Sequence, residues 1–312
     1  MVVKRVWLFG LSFVMLFAVF ASPIFAQNDN DDKTVERITM SPAVVRPTLV
    51  AGEKDTGKLT VINDGSIDYT FLMYSRPFSV DGEDYDTNYT KINKQTEAYQ
   101  WVSFDKTEVR LKAGERVEIG YSVQTPKDAR AGGHYAVLFA ETQPPEDDPA
   151  SVARKKRIGT LLYMTVDGEL KEEGKVESWQ ADLIQTKAPL NTDLRLRNDG
   201  NVHFQADLSA NYTNLFGKKR FTLNQELLIL PGTTRRIPIT WQDSPYLGVY
   251  KVSGKVSFLD KKETLPEKYV VLLPAPVIIS VAGVIALIAI TTAFKKKRTK
   301  SSKKARANKN KN

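Results

Sequence analysis

Four carboxylates lie within six consecutive positions, at Asp81, Glu83, Asp84 and Asp86. Calcium takes several oxygen ligands from a compact loop, so this spacing makes the segment a candidate calcium site. The spacing does not follow the EF-hand pattern, in which a glycine at the turn is followed by a late glutamate. The simpler interpretation is the solvated tip of a hairpin. We therefore expect no metal here, with calcium as the alternative.

Three tyrosines accompany these carboxylates, at Tyr85, Tyr89 and Tyr99. Aromatic side chains on loops stack against sugar rings and anchor protein partners, which makes all three candidate ligand-binding residues. Tyr85 and Tyr89 are the better surface candidates. Trp101 is expected in the core, because Val102–Phe104 continues it as a strand. The alternative for the tyrosines is simple packing of the loop.

The chain contains no cysteine and two histidines, His134 and His203. Disulfide scaffolds, thiolate zinc sites and cysteine nucleophiles are therefore excluded. Each histidine lies within a predicted strand, one in each half, which predicts structural or solvated roles rather than a catalytic triad. No P-loop, nucleophile elbow, dinucleotide-binding or zincin motif occurs. We expect no enzyme and no cofactor, and an unrecognised pair of carboxylates acting on the cell wall is the alternative.

The net charge of +9 is concentrated in the last 18 of the 312 residues, which hold ten Lys and Arg and no acid. The first 26 residues hold two basic residues, so the middle of the chain carries 33 basic against 36 acidic side chains. A basic isoelectric point that comes from one tail does not predict nucleic-acid binding by the folded part. The tail itself has no aromatic residue to stack on a base, so anionic lipid headgroups are its expected partner, with RNA or the ribosome as the alternative.

Residues 1–26 have the order of a secretory signal peptide. Lys4 and Arg5 form a positive region, Val6 to Phe20 is apolar, and Ala26 precedes a polar run. Cleavage is expected after Ala26, and a retained N-terminal anchor is the alternative. Export combined with the absence of cysteine favours a bacterial surface, since eukaryotic secreted domains often carry disulfides.

A second apolar segment, residues 272–294, has the length needed to cross a bilayer. Lys295 to Arg298 follow it at once, and basic residues that flank a span mark the cytoplasmic side. We therefore expect a single-pass protein of the cell membrane. Its N-terminal part is outside, and residues 295–312 form a short basic tail in the cytoplasm.

The region between these segments alternates apolar and polar residues, as Val117, Ile119, Tyr121 and Val123 illustrate, and this period predicts strands. Three markers recur in the same order in its two halves: Asn63–Gly65 with Asn198–Gly200, Gly114 with Gly232, and Gly133–Val137 with Gly248–Val252. The prediction is an all-β protein with two tandem immunoglobulin-like β-sandwiches, at residues 34–168 and 174–269. The first is the longer, with its extra residues around Arg76 to Tyr99.

Several short motifs carry a family resemblance: Met40–Ala43, Asn63–Gly65, Trp101–Phe104, Val109–Glu115 and Gly132–Val137. They are similar to those of the Gram-positive surface proteins that interact with WxL-type proteins. The resemblance implies a signal peptide, two immunoglobulin-like domains, a C-terminal membrane helix and a basic tail. It also implies a peptidoglycan-binding first domain and a partner-binding second domain. The residue pattern from Val109 to Glu118 also loosely resembles that of the periplasmic pilus chaperones.

Together these features predict a membrane-anchored, non-catalytic binding protein of the bacterial surface. The expected partner is cell-wall polymer or another surface protein, bound through loops of the first domain near Arg76 to Tyr99. The alternative from a different class is a structural spacer subunit of a membrane assembly.

Overall fold

A computed structural model describes the backbone of residues 37–143 and 155–309, and the side chains of 37–143 and 155–293. The predicted signal peptide, residues 1–26, lies outside the described residues, as do the prolines of the segment 144–149.

Twelve strands and one short 3₁₀ helix, Glu97–Trp101, make up the first sandwich. The strands are β1 (Ile38–Ser41), β2 (Val44–Val45), β3 (Thr48–Leu49), β4 (Lys54–Asn63), β5 (Tyr69–Pro77), β6 (Ser79–Asp81), β7 (Asp86–Asn88), β8 (Val102–Phe104), β9 (Glu108–Leu111), β10 (Arg116–Gln124), β11 (Gly132–Gln143) and β12 (Arg157–Val166). One sheet has the order β1-β4-β10-β8, and the other has the order β2-β12-β11-β5-β9, with β3 also paired to β12. β6 and β7 form a separate hairpin.

Eight strands make up the second sandwich, and one helix follows it. The strands are β13 (Gly174–Gln180), β14 (Ile184–Gln185), β15 (Leu190–Asn198), β16 (Phe204–Asn214), β17 (Lys219–Ile229), β18 (Thr234–Trp241), β19 (Gly248–Phe258) and β20 (Lys261–Leu272). The helix is α1 (Ala275–Lys309). The sheets have the orders β13-β15-β18 and β14-β20-β19-β16-β17. The prediction of two tandem immunoglobulin-like sandwiches is confirmed.

In the described part of the chain, α1 is the one helix long and apolar enough to cross a membrane, over Ala275–Ala293. The helix does not stop at the predicted end of the span, because its backbone continues as far as Lys309. Most of the predicted basic tail is therefore helical. Trp101 is partly buried and packs against the core of the first sandwich, as predicted; it closes the 3₁₀ helix, and the strand begins at Val102.

Each sandwich has its own hydrophobic core between its two sheets. β10 illustrates how the sequence produces this, because Ile119, Tyr121 and Val123 point into the core while their neighbours face outward. β11 differs from the other strands, since all nine residues from Gly132 to Ala140 are buried. A strand buried on both faces needs a second covering layer, and that layer contains the candidate site.

The two Asn-Asp-Gly segments occupy equivalent positions and explain the internal repeat. Asn198 is fully buried, and its side-chain Nδ2 donates to the carbonyls of Val202 (2.8 Å) and Ile229 (2.9 Å). Asn63 is also fully buried, and donates in the same way to Ile67 (2.7 Å) and Leu111 (3.3 Å). A buried amide at this point satisfies carbonyls that the sheets leave unpaired.

Replacing this amide tests its structural role. We expect Asn198→Ala to destabilise the second sandwich by about 2–4 kcal/mol, because it leaves buried carbonyls unpaired at about 1–3 kcal/mol each. Urea unfolding of residues 27–274 measures the change, with Asn224→Ala on the exposed edge strand β17 as the control. Equal unfolding midpoints for the two variants would contradict this role.

Candidate functional site

Residues 78–100, here called the insertion, cover the outward face of β11. They form the β6–β7 hairpin, a loop and most of the 3₁₀ helix. The backbone N–H of Tyr135 on β11 donates to the carbonyl of Gln95 at 2.6 Å, and the hydroxyl of Ser75 donates to the carbonyl of Tyr99 at 2.6 Å. The buried Thr96 donates from its hydroxyl to the carbonyl of Lys91 at 2.9 Å and so ties the loop together. The insertion is a packed layer rather than a free loop.

The tip of the β6–β7 hairpin contacts the second sandwich. The carboxylate of Glu83 accepts from Nε of Arg195 at 2.6 Å, and the carboxylate of Asp84 lies 2.6 Å from Arg236. The backbone N–H of Arg236 donates to the carbonyl of Glu83 at 2.7 Å. The paired Asp84 raises the pKa of the Arg236 guanidinium. Two of the four clustered carboxylates therefore join the two domains.

The other two carboxylates of the cluster face elsewhere. Asp81 accepts from Nδ2 of Asn88 at 2.6 Å and lies 3.4 Å from Lys91, and the hydrogen bond from Asn88 is the main cause of its lowered pKa. Asp86 is exposed. No group of three or more acidic or histidine side chains among the described residues could hold a metal ion. The cluster lies at the tip of the β6–β7 hairpin, and this tip contacts the second domain through Arg195 and Arg236.

Tyr85, at the same tip, is half-buried between the domains. Its hydroxyl lies 2.5 Å from the hydroxyl of Thr233 and accepts the backbone N–H of Leu230 at 3.0 Å. The guanidinium of Arg235 lies 4.6 Å from the centre of its ring. Its φ of 63° lies in the left-handed region, a costly conformation that these contacts stabilise. Tyr85 is therefore an inter-domain anchor, and its ring does not face the groove described below.

An aromatic cluster extends this inter-domain contact and includes His203. Nδ1 of His203 lies 3.1 Å from the hydroxyl of Tyr135, and its ring centre lies 5.7 Å from that of Tyr163. Burial lowers the pKa of His203 to about 4, and the positive charge of Arg46 adds to this. Burial also raises the pKa of Tyr163 to about 12. His203 has a structural role, as expected, but the sequence did not place it between domains.

His134 has a structural role within the first sandwich. The side chain is buried, with Nε2 lying 2.8 Å from the carbonyl of Arg130, and its ring packs 4.8 Å from that of Trp101. Burial is the main cause of its lowered pKa.

The remaining two candidate tyrosines meet in a surface groove of about 580 Å³ on the first domain. Tyr89 follows β7, and Tyr99 lies in the 3₁₀ helix. Two exposed arginines complete the groove, Arg76 from β5 and Arg157 from β12. We call it the Tyr89–Tyr99 groove; its other lining residues are Pro77, Thr87, Asn88, Thr90 and Ile92.

Aromatic rings hold the two guanidinium groups in position. The guanidinium of Arg157 lies 4.7 Å from the ring centre of Phe139 and 5.4 Å from that of Tyr89, and that of Arg76 lies 5.5 Å from the ring of Tyr74. None of the described residues that line the groove is acidic. The groove therefore offers two preorganised cations beside aromatic surface, which suits a ligand that carries carboxylates or phosphates.

No family model and no curated protein matches the sequence. The chain is similar in structure to the YadV chaperone, with 13% identity over 75% of this chain and 99% of that chain and a TM-score of 0.40. It is similar to the E. coli chaperone DraB, with 16% identity over 76% and 97% of the two chains and a TM-score of 0.39. It is also similar to a chain of the CsuC–CsuE chaperone–tip adhesion subunit complex of Acinetobacter baumannii, with 16% identity over 74% of this chain and 97% of that chain and a TM-score of 0.40. These likenesses say nothing about the ligand of this chain.

The anchoring role of Tyr85 predicts a local change in hydrogen exchange. Tyr85→Phe removes the hydroxyl that accepts the N–H of Leu230, and an unpaired buried N–H costs about 1–3 kcal/mol. We expect exchange at the Leu230 amide to become at least about tenfold faster. Tyr99→Phe is the control, since the one partner described for its hydroxyl is the side chain of Gln100. Unchanged protection at Leu230 would contradict the anchoring role.

The lowered pKa of His203 predicts a pH dependence of stability. Between its ordinary value of 6.5 and about 4, the unfolded chain binds a proton that the folded chain does not, so stability falls as the pH falls through this window. The contribution of His203 is about 2 kcal/mol between pH 6.5 and 4.5, and His203→Phe removes it. Urea unfolding at several pH values measures the difference in slope, and parallel slopes for the two proteins would exclude this linkage.

Proposed function

We propose that the chain is a non-catalytic binding protein of the bacterial surface, anchored by α1, which attaches to cell-wall polymer through the Tyr89–Tyr99 groove. The observation that carries this proposal is the pairing of Arg76 and Arg157 with two tyrosines in a groove without acidic residues. Wall polymers bring sugar rings together with carboxylates or phosphates. Tyrosine stacks on sugars, and arginine forms charge-assisted bonds with either anion.

The apolar part of α1 supports anchoring in a membrane. Its 19 residues, Ala275–Ala293, span about 28 Å at 1.5 Å per residue, close to the thickness of a hydrocarbon core. The basic residues from Lys295 onward favour a cytoplasmic C-terminus. The first domain would then lie outside, where the wall is.

The second sandwich provides the distance between anchor and groove. β17 crosses it from Lys219 to Ile229, about 33 Å at 3.3 Å per residue, and the following residue, Leu230, contacts the insertion. This supports a first domain held well away from the start of α1. The resemblance to surface proteins that interact with WxL-type proteins also favours wall binding by the first domain and a protein partner for the second.

A spacer role in a membrane assembly is the second candidate. The ion pairs of Glu83 and Asp84, together with the buried contacts of Tyr85, favour a rigid pair of sandwiches. Such a unit would keep its geometry without any ligand in the groove.

Co-sedimentation with purified peptidoglycan sacculi tests the groove. Residues 27–274 should pellet with sacculi, and Arg76→Gln with Arg157→Gln should weaken binding at least about tenfold, since a hydrogen bond to a charged group contributes about 1.5–3 kcal/mol. Tyr99→Ala should weaken it as well. Arg110→Gln with Arg116→Gln, which changes two exposed arginines on β9 and β10, is the charge-matched control.

Comparing intact sacculi with sacculi stripped of phosphate polymers identifies the anion that the groove takes. Wild-type protein that stays in the supernatant with both preparations would exclude wall attachment. Equal binding by the double variant and the control would exclude the groove as the site.

A further inference from the structure

The second sandwich ends directly beside the start of the apolar helix. β20 ends at Leu272 and α1 begins at Ala275. The connection is tied to the sheet, because the N–H of Leu273 donates to the carbonyl of Gln185 at 2.9 Å. Three Cα–Cα steps from Leu272 to Ala275 reach at most about 11 Å. The end of the sandwich from which the helix leaves, here called the helix-proximal end, therefore has no long stalk beneath it.

The sheet register places the β16–β17 turn at this end. β16 and β20 both run antiparallel to β19, so they are parallel to each other. Asn214 at the end of β16 pairs with Tyr250, which pairs with Val270 near the end of β20. The turn at residues 215–218 therefore projects beyond the sheet in the direction in which the chain enters the helix.

Two further loops lie at the same end. β14 is parallel to β20 and pairs Ile184 with Val271, and β19 begins with Gly248 opposite Leu272. The segments around β14 and before β19 therefore flank the β16–β17 turn at the helix-proximal end.

These segments expose an unusual amount of apolar surface. Outside α1, the described residues include eleven exposed large hydrophobic side chains, and six of them lie at this end: Leu183, Ile184, Leu215, Phe216, Tyr246 and Leu247. Phe216 is 94% exposed. Burying such side chains removes apolar area from water, which favours a surface that covers them.

The turn that carries Phe216 is an ordered one. The side-chain oxygen of Asn214 accepts the backbone N–H groups of Phe216 (3.1 Å) and Lys218 (2.9 Å). The N–H of Asn214 donates to the carbonyl of Lys218 at 3.0 Å, and the N–H of Gly217 donates to that of Asn214 at 3.0 Å. Leu215 and Phe216 are thus displayed on a fixed turn.

Basic residues follow the apolar tip without a break. Lys218, Lys219 and Arg220 are all exposed. Lys187 adds a fourth basic residue at this end, against two exposed acidic residues, Asp182 and Asp243. An apolar tip followed by cations complements a surface whose outer layer is anionic and whose inner layer is apolar.

We propose that the helix-proximal end of the second sandwich docks on an anionic lipid bilayer, with Leu215 and Phe216 in the headgroup region and Lys218 to Arg220 against lipid phosphates. This rests on the proposed anchoring by α1. The headgroup region is about 5–7 Å thick on each side, and amphipathic surfaces enter about 5–10 Å into it. A connection of at most about 11 Å brings the turn within that depth.

The experiment uses the full chain in vesicles of phosphatidylcholine with phosphatidylglycerol. The chain has no cysteine, so Leu215→Cys gives a single attachment point for a polarity-sensitive fluorophore. Ile92→Cys is the matched control, because Ile92 is 63% exposed against 66% for Leu215. Ile92 lies in the insertion, which is separated from the helix-proximal end by the length of β17. We expect the label at 215 to shift its emission to the blue and to be quenched several-fold more than the control by lipid spin-labelled near the headgroup.

Each outcome has a separate meaning. A chain that does not float with the vesicles contradicts the anchoring by α1 and also the docking, which depends on that anchoring. A chain that floats while its 215 label behaves like the 92 label contradicts the docking alone. An equal response in pure phosphatidylcholine excludes the role of lipid charge. A response that grows with protein density at constant lipid indicates a second copy of the chain instead, and overturns the proposal.

Discussion

The outward face of β11 is the constraint on which the rest of the molecule depends. Tyr135, Val137 and Phe139 project from it, on the side opposite the core of the first sandwich. A β-strand this apolar on both faces is stable only when a second layer covers it, since each exposed aromatic side chain would lose about 1.5–3 kcal/mol of burial. The insertion covers one part and the second sandwich covers another. Inter-domain docking is therefore a consequence of the same packing that completes the first domain.

This shared layer explains why charged residues lie where they do. The apolar cluster contains Phe78, Tyr135, Tyr163 and Leu230, and Glu83 and Asp84 pair with arginines at its edge. Exposed ion pairs contribute little stability, at most about 1 kcal/mol each, so the aromatic layer supplies most of the attraction. The ion pairs fix the register in which the hairpin meets β15 and β18. In any other orientation these charged side chains would lose their partners, which disfavours that orientation.

The parts of the fold that follow local rules could be predicted from the sequence, and the parts that depend on distant contacts could not. Alternation at Val117 to Val123 predicts a strand because side chains on a strand face opposite ways. The paired Asn-Asp-Gly segments predict the repeat because a buried amide is needed at that turn. Tyr85 has the same local signature whether it faces solvent or a second domain. Arg76 and Arg157 come from separate strands, and only the pairing of both strands with β11 brings them to one groove.

The second sandwich has different chemistry at its two ends, and its length separates the two kinds of contact. One end receives the hairpin through specific hydrogen bonds, which hold an orientation. The other end carries apolar and basic side chains, which suit a surface without a defined partner geometry. If the helix alone held the chain to a bilayer, a groove separated from the helix by the length of β17, about 33 Å, would move over a wide arc. A second contact at the bilayer would remove most of that freedom, and the rigid inter-domain layer would pass the restriction on to the groove. Preorganisation of this kind lowers the entropic cost of binding a fixed polymer.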